Sequence, residues 1–93
     1  MRVSFKPSFV RDFKKLPSEI RKEVKYICVE VFPKLRDIRS FQAYPIRPIK
    51  GFKGYYRMKI GDHRIGFKKK KDGSVEFMRA KHRKDIYRHF PNG

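Results

Sequence analysis

Residues 54–67 read GYYRMKIGDHRIGF and contain two short segments in which apolar and charged residues alternate. Alternation with a period of two is typical of a β-strand with one buried face. Between the segments stands Gly61-Asp62, a two-residue loop in which glycine supplies the positive φ that tight hairpins need. The stretch therefore predicts a β-hairpin that consists of strands Tyr55–Ile60 and His63–Lys69.

The two faces of this hairpin differ in charge. The residues expected to face a core are Tyr56, Met58, Ile60, His63, Ile65 and Phe67. Arg57 and Lys59 then point to the opposite side, and Arg64 lies beside them on the neighbouring strand. The hairpin is therefore expected to bury one face and to present cations on the other.

The chain before the hairpin predicts one short strand and two helices. Residues 1–6 alternate as a strand, and Pro7 ends it. Ser8 is expected to cap a first helix, which Pro17 stops, and Ser18 is expected to cap a second. In the second helix the apolar positions recur with helical spacing, at Ile20, Val24, Ile27, Cys28 and Val31.

The remaining segments are shorter. Residues 34–53 are expected to be irregular, since Pro45 and Pro48 forbid a helix and disfavour a central strand. A strand over residues 74–81 follows the turn signal Asp72-Gly73. Residues 83–90 are expected to form one or two helical turns.

The order is therefore strand, helix, helix and three antiparallel strands. It predicts an α+β fold with βααβββ topology, in which two N-terminal helices pack on one face of a small sheet of antiparallel type. Ninety-three residues suit a single domain, residues 1–93.

Charge is the strongest signal in the composition. The chain has 26 Lys and Arg against 9 Asp and Glu, a formal net charge of +17. Such a surface favours nucleic acid, or an acidic protein that mimics it, as the partner. No segment resembles a signal peptide or a membrane span, so the expected location is the cytoplasm. Cys28 is the single cysteine and is expected to be buried without a disulfide.

Two parts of the sequence could combine in a reaction at a phosphate. A lysine among other cations loses its proton more easily and could act as a general base, and arginine forks match phosphate oxygens. Residues 79–90, RAKHRKDIYRHF, add His82 and Tyr87 after the last strand. A surface histidine and a tail tyrosine packed on the core are the simpler explanations, and spacing alone leaves them open.

The hairpin run YRMKIGDHRIGF, followed by MRAKHRKDIYR, resembles the RelE/ParE toxin superfamily. The resemblance implies the same βααβββ fold and a toxin of a type II toxin–antitoxin pair. Members of the RelE branch cleave messenger RNA, usually in the ribosomal A site, without a metal. There the 2′-hydroxyl of the substrate attacks the adjacent phosphate, which leaves a 2′,3′-cyclic phosphate and a free 5′-hydroxyl.

The resemblance also implies roles for individual residues. Lys59 corresponds to the general base, Arg64 to the residue that stabilises charge on the phosphate, and Tyr87 to the residue that stacks on or orients a nucleotide. The general acid corresponds to His82 or Arg83, and His82 is favoured because imidazole gives up a proton more readily than guanidinium. Arg57 corresponds to a phosphate contact, and Arg83, Lys53 and Lys81 are expected to bind RNA or phosphate as well.

The expected partners are an acidic, partly disordered antitoxin, messenger RNA and the ribosome, with contacts to 16S ribosomal RNA. No cofactor or metal is expected, because the three histidines and the scattered acids lack ligand spacing. Two alternatives stay open: a ParE-like inhibitor of DNA gyrase, and an RNA- or DNA-binding module without catalysis.

Overall fold

The computed structural model describes residues 1–92 as two helices packed on one face of a five-stranded sheet. The strands are β1 (Val3–Phe5), β2 (Ile46–Pro48), β3 (Tyr55–Ile60), β4 (His63–Lys69) and β5 (Val75–His82). The helices are α1 (Pro7–Lys14) and α2 (Ser18–Tyr26), and a π-helical turn, Ile27–Val31, extends α2. Short 3₁₀ turns occupy Phe32–Lys34, Ile38–Ser40 and Ile86–Arg88. The predicted α+β class is confirmed.

The sheet is mixed, with strand order β1-β5-β4-β3-β2. β1 runs parallel to β5. A parallel pair needs a long connection, and here the connection contains both helices and strands β2 to β4. All other neighbours are antiparallel. In the β3–β4 hairpin Ile60 pairs with His63, and Gly61 has a φ of +57°, as the two-residue loop predicts.

The main core lies between the helices and one face of the sheet. Phe32 joins the two layers, because its ring centroid lies 5.6 Å from that of Phe67 and 5.2 Å from that of Phe77. The buried members of this cluster are Phe9, Leu16, Val24, Ile27, Cys28, Phe32, Ile38, Phe41, Met58, Ile60, Ile65, Phe67, Val75, Phe77 and Ala80. Burial raises the pKa of the Cys28 thiol, and the expectation of a buried cysteine is confirmed.

The predicted serine caps are wrong. α1 begins at Pro7 and α2 begins at Ser18, and neither helix has a side-chain hydrogen bond from its cap residue. Proline is well suited to the first helical position, because that amide has no partner within the helix. The Ser8 hydroxyl instead donates to the carbonyl oxygen of Met78, at 2.8 Å.

The expectation of an irregular segment over residues 34–53 missed β2. This strand pairs Arg47 with Arg57 and Pro48 with Tyr56 on β3. Proline is tolerated because β2 is an edge strand, and one of its sides has no neighbour to bond.

Helix α1 takes the place of a strand along part of β5. β1 pairs only with Val75, Glu76 and Phe77. Farther along β5, the Asp12 carboxylate accepts a hydrogen bond from the backbone amide of Ala80, at 3.0 Å. Together with the Ser8 bond, this contact satisfies backbone groups that an exposed edge would leave open.

The second face of the sheet is only partly uncovered, which corrects the expectation of an open side. A shift in register at Gly66 and Phe67 accompanies a second small cluster of Met78, Ile86 and Phe90. A Cβ atom on Gly66 would lie 2.7 Å from the Phe90 ring. The tail, residues 83–90, therefore packs over the middle of this face, and it contains one short 3₁₀ turn.

No helix within residues 1–92 has the length and apolar character that crossing a membrane requires.

Candidate functional site

Two rows of cations run across neighbouring strands on the face that the helices leave free. In the first row, Arg64 on β4 lies opposite Lys59 on β3 and Lys81 on β5. In the second row, Arg47 on β2 lies opposite Arg57 on β3, and Gly66 on β4 separates Arg57 from Arg79 on β5. Opposed residues share a face with Cβ atoms about 4.5–5.5 Å apart, and like charges in such positions destabilise the sheet. These six cations, here called the cation rows, therefore suit a site that binds an anion.

The hairpin loop holds Arg64 in place. One guanidinium nitrogen, Nη1, donates to the carbonyl oxygens of Gly61 and His63, at 3.0 and 3.1 Å. A guanidinium carries five N–H donors, so other donors remain for a ligand. The short loop thus fixes the direction of a side chain that retains hydrogen-bonding capacity.

Asp12 is the buried counter-charge at one end of the rows. Its carboxylate accepts hydrogen bonds from Arg79 Nε at 2.8 Å and Arg79 Nη2 at 3.1 Å, and Lys81 Nζ lies 3.5 Å away. Burial alone would raise the pKa of Asp12, but the hydrogen bonds and the two cations outweigh burial and hold the pKa below 3.8. Asp12 therefore stays ionised and compensates Arg79 and Lys81.

The other end of the rows has no such compensation. Within residues 1–92, no carboxylate lies within 4 Å of the charged nitrogens of Arg57, Lys59 or Arg64. The uncompensated positive charge is therefore concentrated on β3 and the start of β4.

The tail brings Tyr87 to this end of the face. The Arg57 Cζ atom lies 6.0 Å from the centre of the Tyr87 ring, and Tyr87 is 54% exposed. Ile86 and Phe90 are both buried, so the backbone on each side of Tyr87 is held against the sheet. The structure thus brings together Arg57, Lys59, Arg64 and Tyr87.

By register, His82 takes the side of the sheet opposite to that of Lys81 and Arg64. It pairs with His63 at the end of the sheet, with ring centroids 5.6 Å apart, on the side to which Ala80 points. Its Nδ1 atom accepts a hydrogen bond from the Lys84 amide at 3.2 Å, so neutral His82 carries its proton on Nε2. Burial and the neighbouring His82 lower the pKa of His63.

Arg83 continues along the hairpin loop. Its amide donates to the Asp62 carbonyl oxygen at 2.8 Å, and its Nε atom lies 3.7 Å from the Asp62 carboxylate. Arg83 follows β5, which ends at His82, and it is exposed in the turn after the strand. Lys53, in contrast, lies before β3 at the opposite end of the face.

Sequence reasoning missed three members of this arrangement. Arg47 was hidden because β2 was not predicted. Arg79 could have been predicted, because it lies two residues before Lys81 on β5 and therefore takes the same side of the strand. Asp12 carries no local signal, because its partners are 67 and 68 residues away. No group of three or more His, Cys, Asp or Glu side chains in residues 1–92 is placed to hold a metal ion.

Comparison with known proteins gives consistent matches. The family model described as ParE toxin of type II toxin–antitoxin system, parDE, matches residues 3–87. Toxin RelE3 of Methanocaldococcus jannaschii is 40% identical over 93 residues, which cover 98% of this chain and 100% of the relative. The RelB-RelE antitoxin–toxin complex from Methanococcus jannaschii matches with a TM-score of 0.80 and 36% identity, over 95% of this chain and 99% of that chain. YafQ from E. coli shares the fold, with a TM-score of 0.71 at 17% identity, over 94% and 99% of the two chains.

Proposed function

Because this chain belongs to the ParE/RelE family of toxins of type II toxin–antitoxin systems, we propose that it is an endoribonuclease that cleaves messenger RNA on the ribosome. The observation that carries the proposal is the direct opposition of Lys59 and Arg64, with no carboxylate of residues 1–92 close to either. Their neighbour Arg57 lies beside the exposed ring of Tyr87. A phosphodiester and a flanking base fit these two features.

The proposed reaction needs no group from outside the RNA and the protein. The 2′-hydroxyl loses its proton to Lys59, and its oxygen attacks the adjacent phosphorus. The bond from phosphorus to the 5′ oxygen breaks, and that oxygen takes up a proton. The products are a 2′,3′-cyclic phosphate and a 5′-hydroxyl, and water enters neither step.

Arg64 and Arg57 would act on the phosphate. Charge builds up on the non-bridging oxygens in the transition state, and fixed donors directed at them lower the barrier. The two hydrogen bonds from Arg64 to the hairpin loop support this role, because they restrict the side chain before the substrate binds. Arg57 would hold the phosphate, and Tyr87 would stack on the neighbouring base.

Two residues are proposed as the donor of the final proton. An imidazole can carry and donate a proton, and the Nε2 atom of His82 is the ring nitrogen that the Lys84 amide does not occupy. Arg83 lies beside the hairpin loop, 3.7 Å from the Asp62 carboxylate, and it would act mainly by its charge. The His82→Asn and Arg83→Gln variants separate them, because cleavage of message should fall most in the variant that lacks the proton donor.

The proposed partners follow from charge. An acidic antitoxin segment that is disordered alone would cover the cation rows and fold on binding. The structural relative from Methanococcus jannaschii is a complex of RelE with the antitoxin RelB, which supports a protein inhibitor of this kind. Messenger RNA and the ribosome, with 16S ribosomal RNA, would be the targets, so the toxin would act in the cytoplasm.

The test is induced expression of the Arg64→Ala and Tyr87→Ala variants. We expect growth arrest to disappear and the yield of new 5′-hydroxyl ends in messages to fall at least about 100-fold for Arg64→Ala. Arg11→Ala and Tyr26→Ala are matched controls, since Arg11 is exposed on α1 and Tyr26 is 58% exposed. Undiminished toxicity in both site variants, at equal expression, would overturn the proposed site.

A ParE-like gyrase inhibitor is the second candidate, because the matching family model describes a ParE toxin. It predicts inhibition of DNA supercoiling by purified gyrase and no cleavage of messages. The concentration of cations around Lys59 and Arg64 favours the nuclease.

A further inference from the structure

The carboxylate of Asp12 lies at the outer edge of β5. It accepts a hydrogen bond from the Ala80 amide at 3.0 Å, along a part of the strand that β1 does not reach. The Ala80 amide therefore points away from β4, and the carboxylate lies beyond β5. Arg79 and Lys81 belong to the face that carries the cation rows, and their charged ends extend to this edge to contact Asp12.

The contact with Asp12 occupies the donors of Arg79 that would otherwise hold a phosphate. Nε and Nη2 of Arg79 form a fork on the two carboxylate oxygens, at 2.8 and 3.1 Å. The same fork fits two oxygens of a phosphate. The side chain of Asp12 is 6% exposed and that of Arg79 is 17% exposed, so the pair is largely shielded from water. Asp12 and a phosphate therefore compete for one set of donors.

The charge of Asp12 decides whether β5 offers a phosphate site of its own. Without that charge, the complete fork of Arg79 would be available, and Lys81, now 3.5 Å from the carboxylate, would add a second cation beside it. Arg64, in contrast, already uses Nη1 for two carbonyl oxygens of the hairpin loop. Loss of the Asp12 charge would therefore create a competing phosphate site on β5.

A phosphate held on β5 is in the wrong place for cleavage. β3, which carries Lys59, and β5 are separated by β4, so the two strands are about 9–10 Å apart. Transfer of a proton from the 2′-hydroxyl to Lys59 requires an approach of about 2.6–3.2 Å. RNA whose phosphate is held at Arg79 is therefore bound without being cut.

We propose that Asp12 is a positioning residue that selects where RNA binds along the cation rows. Its carboxylate withholds Arg79 and Lys81 from the RNA, so the phosphate to be cleaved binds beside Lys59 and Arg64. Asp12 itself touches neither the substrate nor the reacting atoms. This inference rests on the proposed function, because it takes RNA cleavage as the reaction of the site.

The first experiment measures binding without cleavage. A fluorescein-labelled single-stranded RNA made entirely of 2′-O-methyl nucleotides, which cannot be cut, is titrated with the wild type, D12N and the control E30Q from about 50 to about 400 mM NaCl. Glu30 is exposed and, within residues 1–92, forms no ion pair, so E30Q removes the same charge without releasing a cation. We expect the slope of log K against log salt to be steeper by about 0.7–1.4 in D12N, the effect of one or two added phosphate contacts, and unchanged in E30Q.

The second experiment measures single-turnover cleavage of a message in programmed ribosomes at increasing concentrations of the protein. In D12N we expect the maximal rate and the half-saturating concentration to fall by the same factor, about tenfold, because the competing mode binds RNA without cutting it. A merely structural defect gives a different result, because a smaller folded fraction raises the half-saturating concentration and leaves the maximal rate unchanged. The double variant D12N/R79Q has the net charge of the wild type and lacks the released fork, so it should recover most of the maximal rate.

An unchanged salt slope in D12N, an unchanged maximal rate, or a double variant no faster than D12N would overturn this role of Asp12. The binding measurement does not depend on cleavage. A wild type that cuts no message would contradict the proposed nuclease, and a steeper salt slope in D12N would still support the withholding of Arg79 and Lys81 from phosphate.

Discussion

At the scale of single residues, Asp12 connects the helix layer to the candidate site. It is 6% exposed, and its carboxylate contacts the side chain of Arg79, the amide of Ala80 and the ammonium of Lys81. One carboxylate thus bonds a backbone amide at the edge of β5 and restrains two members of the cation rows. A neutral side chain of the same shape would keep part of the hydrogen bonding and lose the charge.

We therefore predict that Asp12→Asn lowers the free energy of unfolding by about 1–3 kcal/mol at pH 7, the range for hydrogen bonds to a charged group. Since the pKa of Asp12 is lower in the folded state than the ordinary 3.8, its contribution is complete above that value. The contribution is lost as the pH falls through the folded pKa. Urea unfolding from pH 2 to pH 7 measures both effects.

Asp62→Asn is the matched control for Asp12→Asn. Asp62 has an exposed side chain, and its ion pair with Arg83 is long, at 3.7 Å. The expected change in unfolding free energy is below about 0.5 kcal/mol, as for most exposed pairs. Equal stability of the Asp12→Asn protein and the wild type at pH 7 would contradict the role given to this contact.

At the scale of elements, the tail and the sheet define the site together. Gly66 is the point of contact, because it lies between Arg57 and Arg79 in register and leaves space for the Phe90 ring. The tail that Phe90 holds also carries Tyr87. A change at Gly66 should therefore affect the site without altering any of its side chains.

We predict that Gly66→Ala costs about 1–3 kcal/mol of stability, since the new methyl group overlaps the Phe90 ring. We also expect cleavage of message to fall, because displacement of the tail moves Tyr87 away from Arg57. Urea unfolding and mapping of message 5′ ends are the measurements.

A double-mutant cycle tests the stated cause of the Gly66→Ala effect. With Phe90→Ala the overlap is absent, so the double variant should lose less stability than the two single variants added together, by at least about 0.5 kcal/mol. Additive losses would show that Gly66 acts through something other than Phe90.

At the scale of the whole molecule, charge opposes compactness. A net charge of +17 is held within a radius of gyration of 12.0 Å. The Debye length is about 30 Å at 0.01 M salt and about 10 Å at 0.1 M, so the cations of the molecule repel one another strongly only in dilute salt. Lys70 and Lys71, in the turn after β4, and the uncompensated part of the cation rows both contribute to this repulsion.

We predict that the melting temperature rises between 10 and 300 mM NaCl, by several degrees, because screening of about 1 kcal/mol corresponds to about 4–8 °C in a domain of this size. The K70Q/K71Q variant should melt higher than the wild type in 10 mM salt and should rise less with added salt. Differential scanning calorimetry gives both values. A melting temperature that is constant or falls with salt would contradict this account of the charge.

The sequence by itself determined the elements and the side of the sheet that each hairpin residue takes. Alternation predicted β3, β4 and β5, helical spacing predicted the two helices, and Gly61-Asp62 predicted the loop. These features depend on residues a few positions apart, so a local pattern is sufficient to specify them. A two-residue loop pairs Ile60 with His63, so the next pair outward is Lys59 and Arg64, and the loop length is sufficient to predict their opposition.

Only the tertiary structure decided what approaches the sheet from elsewhere in the chain. It paired β2 with β3, placed Asp12 against β5 from 67 positions away, and laid Phe90 over Gly66. It also put the His82 ring beside that of His63. Such contacts depend on how complete layers pack and on where a register shift falls, and no periodicity within a single segment carries that information.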